Sequence, residues 1–141
     1  MLLMWPSWFA LALLPINQNE LFFWYFIFFV GSFLMRSAGC IINDLVDIKI
    51  DRKILRTSER VLASKKVTIF EALIFLTILL LLSLTILLQF NYLSIAIGLL
   101  SFPIIILYPF MKRLIYWPQI ILGIIFNWGI IIVSFQFSEE F

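Results

Sequence analysis

The sequence predicts an all-α fold, a polytopic bundle of transmembrane helices, and three observations lead there. Hydrophobic residues make up 64% of the 141-residue chain and charged residues 13%, where a water-facing domain would carry roughly a quarter. Mean hydropathy is +1.12. The apolar runs are continuous, as over residues 72–88, broken only by Thr77, Ser83 and Thr85. A membrane barrel would alternate apolar and polar residues; continuous runs belong to helices, which satisfy their backbone groups internally.

Residues 1–14 are apolar but shorter than the ~20 residues of a full span. They lack the basic start and small-residue cleavage site of a signal peptide, and read as the end of a membrane helix whose beginning is missing or replaced. Residues 15–20 (PINQNE) form a polar turn without a basic residue. A second helix is expected over residues 21–42, its aromatic start suiting an interfacial belt. Gly31, Ser32, Ser37, Ala38 and Gly39 permit close helix contact. Cys40, the one cysteine, excludes an internal disulfide and is expected to be a packed thiol. A polar segment follows to Lys66. Further helices are expected over residues 67–88, 92–110 and 119–137, separated by the turn at Gln89, Phe90 and Asn91 and by a basic loop opening at Lys112 and Arg113. Gly98 and Pro103 mark packing or kink positions in the fourth.

All ten basic residues lie within residues 36–66 or at Lys112 and Arg113. The turns near Asn17 and Asn91 and the end at Ser138 have none, so charge alternates across successive helices as the positive-inside rule requires. The Asp-rich segment and the Lys112–Arg113 loop are therefore placed together on the cytoplasmic side, or the matrix side in an organelle. The expected location is the bacterial inner membrane, with the mitochondrial inner membrane as the alternative.

The chemistry is concentrated in residues 31–64. Asn43, Asp47 and Asp51 are spaced four apart, with Asp44 beside the first. On a helix such residues stack along one face, where carboxylates near hydrocarbon repel one another unless a cation is shared. Histidine is absent, and oxygen-only ligands favour Mg²⁺, Mn²⁺ or Ca²⁺ over zinc. If the helix continues, Arg36 lies on the same face as Asn43, Asp44 and Asp47. Lys49, Arg52, Lys53, Arg56, Arg60, Lys65 and Lys66 follow the acids. Metal-binding acids beside anion-binding bases suit a diphosphate, whose ionisation would leave an allylic cation. Apolar helices would house a lipid tail.

The pattern N-D-x-x-D-x-x-x-D at residues 43–51, followed by R-T-x-x-R at 56–60, resembles the first Asp-rich motif of the UbiA superfamily of intramembrane prenyltransferases. MRSAGCIIND at 35–44, LYPFMKR at 107–113 and WPQIILGIIFNWG at 117–129 resemble the branch acting on 4-hydroxybenzoate in ubiquinone biosynthesis, and Trp5-Pro6 resembles the end of that family's first helix. The resemblance implies transfer of a polyprenyl chain from polyprenyl diphosphate to the ring carbon meta to the carboxylate of 4-hydroxybenzoate. It implies Mg²⁺ held by Asn43, Asp47 and Asp51 with Asp44 in support, and Arg36, Arg56, Arg60, Lys112 and Arg113 as ligands of diphosphate or carboxylate. Asp47, Asp51, Lys112 and Tyr108 become the catalytic candidates. Asn127 is a substrate-binding candidate, and with Trp128 it is weighed against simple helix packing. The partners implied are these two substrates and the lipid bilayer, with no nucleic acid.

Two departures bear on activity. Val61 stands where the family's R-T-x-x-R is followed by proline. About five helices are present of about nine expected for the family, and no aspartate occurs after Asp51, so the second Asp-rich motif is missing. Residues 1–141 are thus expected to form a single, truncated transmembrane domain. Two classes stay open: an N-terminal enzyme half completed by a separate C-terminal half or a longer gene product, and an inactive membrane-inserted relic or interaction protein. A cation transporter built on the acidic helix face leaves the bases unexplained.

Overall fold

The computed structural model describes residues 4–51, 53, 64, 66–114 and 116–137, with the side chains of Ile50, Lys112, Arg113 and Pro118 excepted. Five helices follow in order: α1 (Met4–Ala12), α2 (Gln18–Asp51), α3 (Ile69–Leu87), α4 (Tyr92–Leu114) and α5 (Pro118–Gln136). Four of them, all but α1, are long and apolar enough to cross a membrane. The chain is an integral membrane protein of the all-α class.

The helices close a ring in which α2 packs on α1, α3 and α4, while α5 packs on α1 and α4 and α3 touches α4. Helix ends come from local chemistry. Thr68 caps α3: its hydroxyl accepts the Glu71 N–H at 3.2 Å, and the Glu71 carboxylate accepts the Thr68 N–H at 2.8 Å. This capping box satisfies two otherwise orphaned donors. α5 opens with Pro118 in its first turn, where the missing N–H costs nothing. α4 continues through Pro103 and Pro109, as membrane helices can when neighbours compensate. Polar side chains inside the bilayer mostly bond back to their own helix, as Ser37 does to the Phe33 carbonyl and Ser134 to that of Ile130.

The turns expected to share the base-free end do meet there. The Asn91 N–H donates to Gln136 Oε1 at 2.8 Å, and Asn91 Nδ2 donates to the Gln136 carbonyl at 2.8 Å. Trp24 packs its ring against Phe90 and Phe137, and Phe28 against Phe90. Leu11, Ile27, Phe28, Phe90, Val133 and Phe137 form the buried cluster at this end. On the other flank Trp8 of α1 stacks edge-on against Tyr25 and donates its indole N–H to the Tyr25 carbonyl at 3.2 Å.

Two expectations about α2 change. The helix does not stop near Ile42 but runs nine residues further, to Asp51. No glycine or proline interrupts residues 41–51, so the apolar pattern ends where the hydrocarbon ends while the backbone ladder goes on. Cys40 is exposed instead of packed. It lies on the face of α2 that also carries Phe33 and Arg36, both exposed, which no described helix covers.

Candidate functional site

Because α2 is continuous, the acidic motif is a helix face, not a loop. With 34 residues at 1.5 Å each, α2 is about 51 Å long, well beyond the ~30 Å hydrocarbon core. If its apolar part fills the bilayer, residues 43–51 stand at the membrane surface. Asp47 and Asp51 are buried there, at 7% and 6% exposure; Asn43 and Asp44 are half-buried. All four engage in interactions within the chain.

Neighbours four apart on a helix bring their Cβ atoms to about 5–6 Å, whereas Asn43 and Asp51 are about 12 Å apart along the axis. One cation can therefore be shared by Asn43 and Asp47, or by Asp47 and Asp51, and Asp47 belongs to both pairs. Among the described residues no group of three or more Asp, Glu, His or Cys side chains is gathered to hold a metal. Either pair, Asn43 with Asp47 or Asp47 with Asp51, still fits a hard cation that completes its shell with water and substrate phosphate, as Mg²⁺ does. Arg36 is exposed on the same face, but roughly 16 Å along the axis from Asp47, too far to pair with it. Arg56 and Arg60 lie outside the described residues, as do the side chains of Lys112 and Arg113.

The other candidates are placed elsewhere. Tyr108 is half-buried on α4, beside the fully buried Pro109. Asn127 is exposed and donates Nδ2–H to the Gly123 carbonyl of its own helix at 2.9 Å. Its neighbour Trp128 turns inward, donating its indole N–H to the Ile97 carbonyl of α4 at 2.9 Å.

Trp128 lines a cavity of about 410 Å³ to which all five helices contribute. From α2 the lining residues are Ile27, Phe28, Gly31, Ser32 and Met35. At about 100° per residue, Asp47 is roughly 160° round α2 from Gly31. Met35 is roughly 120° from Asp47 and Ser32 roughly 60°, so the cavity is centred on a different face of α2 from Asp47 and Asp51, with Ser32 at its edge nearest the acids. Tyr108 continues the cavity-lining face of α4 about one turn beyond Ile104 and Ile105. The candidates fall into two groups, Arg36 with the acids on the outer face of α2, and Tyr108 above the cavity. Periodicity along α2 would have separated these faces from the start, given the second signal of which face the neighbouring helices cover.

Residues 3–141 match the UbiA prenyltransferase family. A Dictyostelium discoideum protein named "4-hydroxybenzoate polyprenyltransferase, mitochondrial" is 51% identical over 104 residues, 73% of this chain and 22% of its own. Proteins of the same name from Caenorhabditis elegans and Homo sapiens are 46% and 47% identical, over 91% and 75% of this chain and 36% and 29% of theirs. The chain thus spans about a fifth to a third of the length of these relatives. A solved structure, the apo form of a UbiA homolog from Aeropyrum pernix K1, superposes with a TM-score of 0.80 at 22% identity, covering 99% of this chain and 50% of that one. With its fold, its Asp-bearing helix and a match along nearly its whole length in agreement, the chain belongs to the UbiA prenyltransferase family.

Proposed function

We propose that this chain provides the diphosphate-binding part of a 4-hydroxybenzoate polyprenyltransferase. The observation that carries the reading is the uninterrupted α2, with Asn43, Asp47 and Asp51 on one face and two of the three carboxylates in the motif buried. The names of the relatives support the substrates: polyprenyl diphosphate as donor and 4-hydroxybenzoate as acceptor.

Asn43, Asp47 and Asp51, with Asp44 in support, would hold Mg²⁺ against the donor's diphosphate. Bound there, the cation would neutralise the negative charge that grows on the leaving diphosphate. The protein's own work is to hold the carboxylates aligned. It also has to supply positive charge from Arg36, Arg56, Arg60, Lys112 and Arg113, and to shield the reacting carbon from water. In the reaction the C–O bond to diphosphate breaks with its electron pair leaving on oxygen. A C–C bond then forms at the ring carbon meta to the carboxylate, and that carbon loses its proton. Tyr108 is kept as a candidate near the reacting centre.

The face of α2 that carries Phe33, Arg36 and Cys40 is exposed over those residues and becomes buried only further along, at Asp47 and Asp51. It is the side on which a separate C-terminal half, or more of a longer chain, would close the site. Transfer to labelled 4-hydroxybenzoate in membranes tests the reading. Product is expected when the chain is co-expressed with the C-terminal half of a complete relative, and no product in either arrangement would sink the reading in favour of an inactive relic.

The orientation proposed is Asp-rich end toward the cytoplasm or matrix. The membrane is a bacterial or mitochondrial inner membrane, the relatives' names supporting the second. In a Cys40→Ala background, a cysteine at exposed Lys66 should react with an impermeant maleimide only from that side, and one at exposed Tyr92 only from the other. Labelling of both from one side would refute the topology.

A further inference from the structure

We infer that the cavity between α2, α3, α4 and α5 is a binding site for an acyl chain of a bilayer phospholipid, separate from the diphosphate site. Its walls are chemically hydrocarbon. The hydroxyls of Thr77, Ser83 and Ser101 donate to the carbonyls of Leu73, Leu80 and Gly98 on their own helices. The Trp128 indole N–H is engaged by α4, which leaves the ring's apolar surface to the cavity. No buried side-chain polar atom among the described residues lacks a partner. Ser7 and Ser32 add the remaining lining hydroxyls among otherwise apolar side chains, so the site rewards mainly apolar contact.

The bilayer is also the nearest source. Of the lining residues, Thr77, Leu81 and Leu84 of α3 and Leu99 of α4 are exposed, while those contributed by α2 and α5 are not. The cavity therefore reaches the lipid-facing surface between α3 and α4. These two helices are drawn together at their shared turn, where a Cβ on Gly98 would stand 2.6 Å from Leu87 Cδ1. Their remaining length is loosely apposed, since α3 spends most of its contact on α2. A chain lying in the bilayer can slide in sideways and gain van der Waals contact with the apolar lining.

The occupant is not the tail of the donor. A diphosphate held by Asp47 and Asp51 sits on a face of α2 turned roughly 120–160° from Met35 and Gly31 of the cavity wall, so its isoprenoid would have to pass round the helix to enter. The phospholipid chain acts as a removable piece of the core, tying α3 and α4 to the rest of the bundle.

The test reconstitutes the full chain in phosphatidylcholine vesicles containing a phospholipid with a diazirine in mid-acyl chain. Irradiation and peptide mapping then locate the adducts. Adducts are expected at inward-lining Leu80, Ile104 and Trp128, as well as at lipid-facing Phe75 and Leu82, which report insertion. Filling the cavity with Leu80→Trp, or separately Ile104→Phe, should lower the inward adducts several-fold and leave those at Phe75 and Leu82 unchanged. Excess polyprenyl diphosphate with Mg²⁺ should leave all adducts unchanged. Adducts confined to Phe75 and Leu82 would overturn the proposal. Loss of the inward adducts to the diphosphate would also overturn it, by showing that the cavity holds the donor's tail.

Discussion

Replacing Asp47 with asparagine is expected to abolish Mg²⁺-dependent binding of a prenyl diphosphate, weakening it roughly 100-fold or more. Changes merely adjacent to a metal site already cost 10–100-fold, and Asp47 is the proposed ligand common to both adjacent pairs on α2. Asp51→Asn should be severe but milder, because Asn43 and Asp47 remain one turn apart. The exchange keeps shape and removes charge, so a neutral amide replaces a carboxylate that is 7% exposed in one case and 6% in the other. Removing one partner of a buried charge interaction can itself destabilise a protein, so folding of each variant has to be measured alongside binding. Retained insertion and an unchanged helical circular dichroism spectrum would therefore isolate the metal effect. Titration of a fluorescent prenyl diphosphate into vesicles, with Mg²⁺ and with chelator, reads the result. Equal binding by wild type and both variants would eliminate the metal assignment, whereas a larger loss in Asp51→Asn would shift the shared position from Asp47 to Asp51.

The largest expected effect on stability is at Gly129. A Cβ there would collide with Ser7 Oγ and lie 3.3 Å from Ser7 Cβ, and Ser7 is 1% exposed with nowhere to retreat. This is the close approach of α1 to α5 that small residues allow in membranes. Gly129→Val should push α1 off α5 and destabilise the bundle by about 1–3 kcal/mol, as overpacking does. An unfolding titration in mixed micelles would show an earlier midpoint. The smaller Gly129→Ala should do the same to a lesser degree and be rescued by Ser7→Gly, which removes the Oγ it strikes together with the Cβ behind it. A Gly129→Val variant with the wild-type midpoint, or no rescue in the double variant, would contradict the contact. The comparable position at Gly98 is expected to be more forgiving, since a Cβ there meets the flexible end of Leu87.

Much of this protein was legible in its sequence. Membrane class, helix number and the sharing of one end by the turns near Asn17 and Asn91 follow from hydropathy and charge, because the bilayer admits so few solutions. The acids of α2 were legible too, since spacing alone places Asn43, Asp47 and Asp51 on one face. The start of α3 was also readable, in Thr68-x-x-Glu71, although hydropathy drew attention to Val67 instead. The end of α2 was not, because hydropathy reports where hydrocarbon stops and a helix stops only where its hydrogen-bond ladder does.

What only the tertiary structure decided is which face of α2 meets which neighbour. Cys40 and Arg36 could not be recognised as exposed until the ring of helices covered the other side. The split of Asp47 from the cavity, and of Asn127 from Trp128, has the same cause. Helical periodicity fixes the angles between side chains within one helix. It says nothing about the direction from which the next helix arrives, because contacts such as Ser7 with Gly129 or Trp128 with Ile97 join residues far apart in the chain.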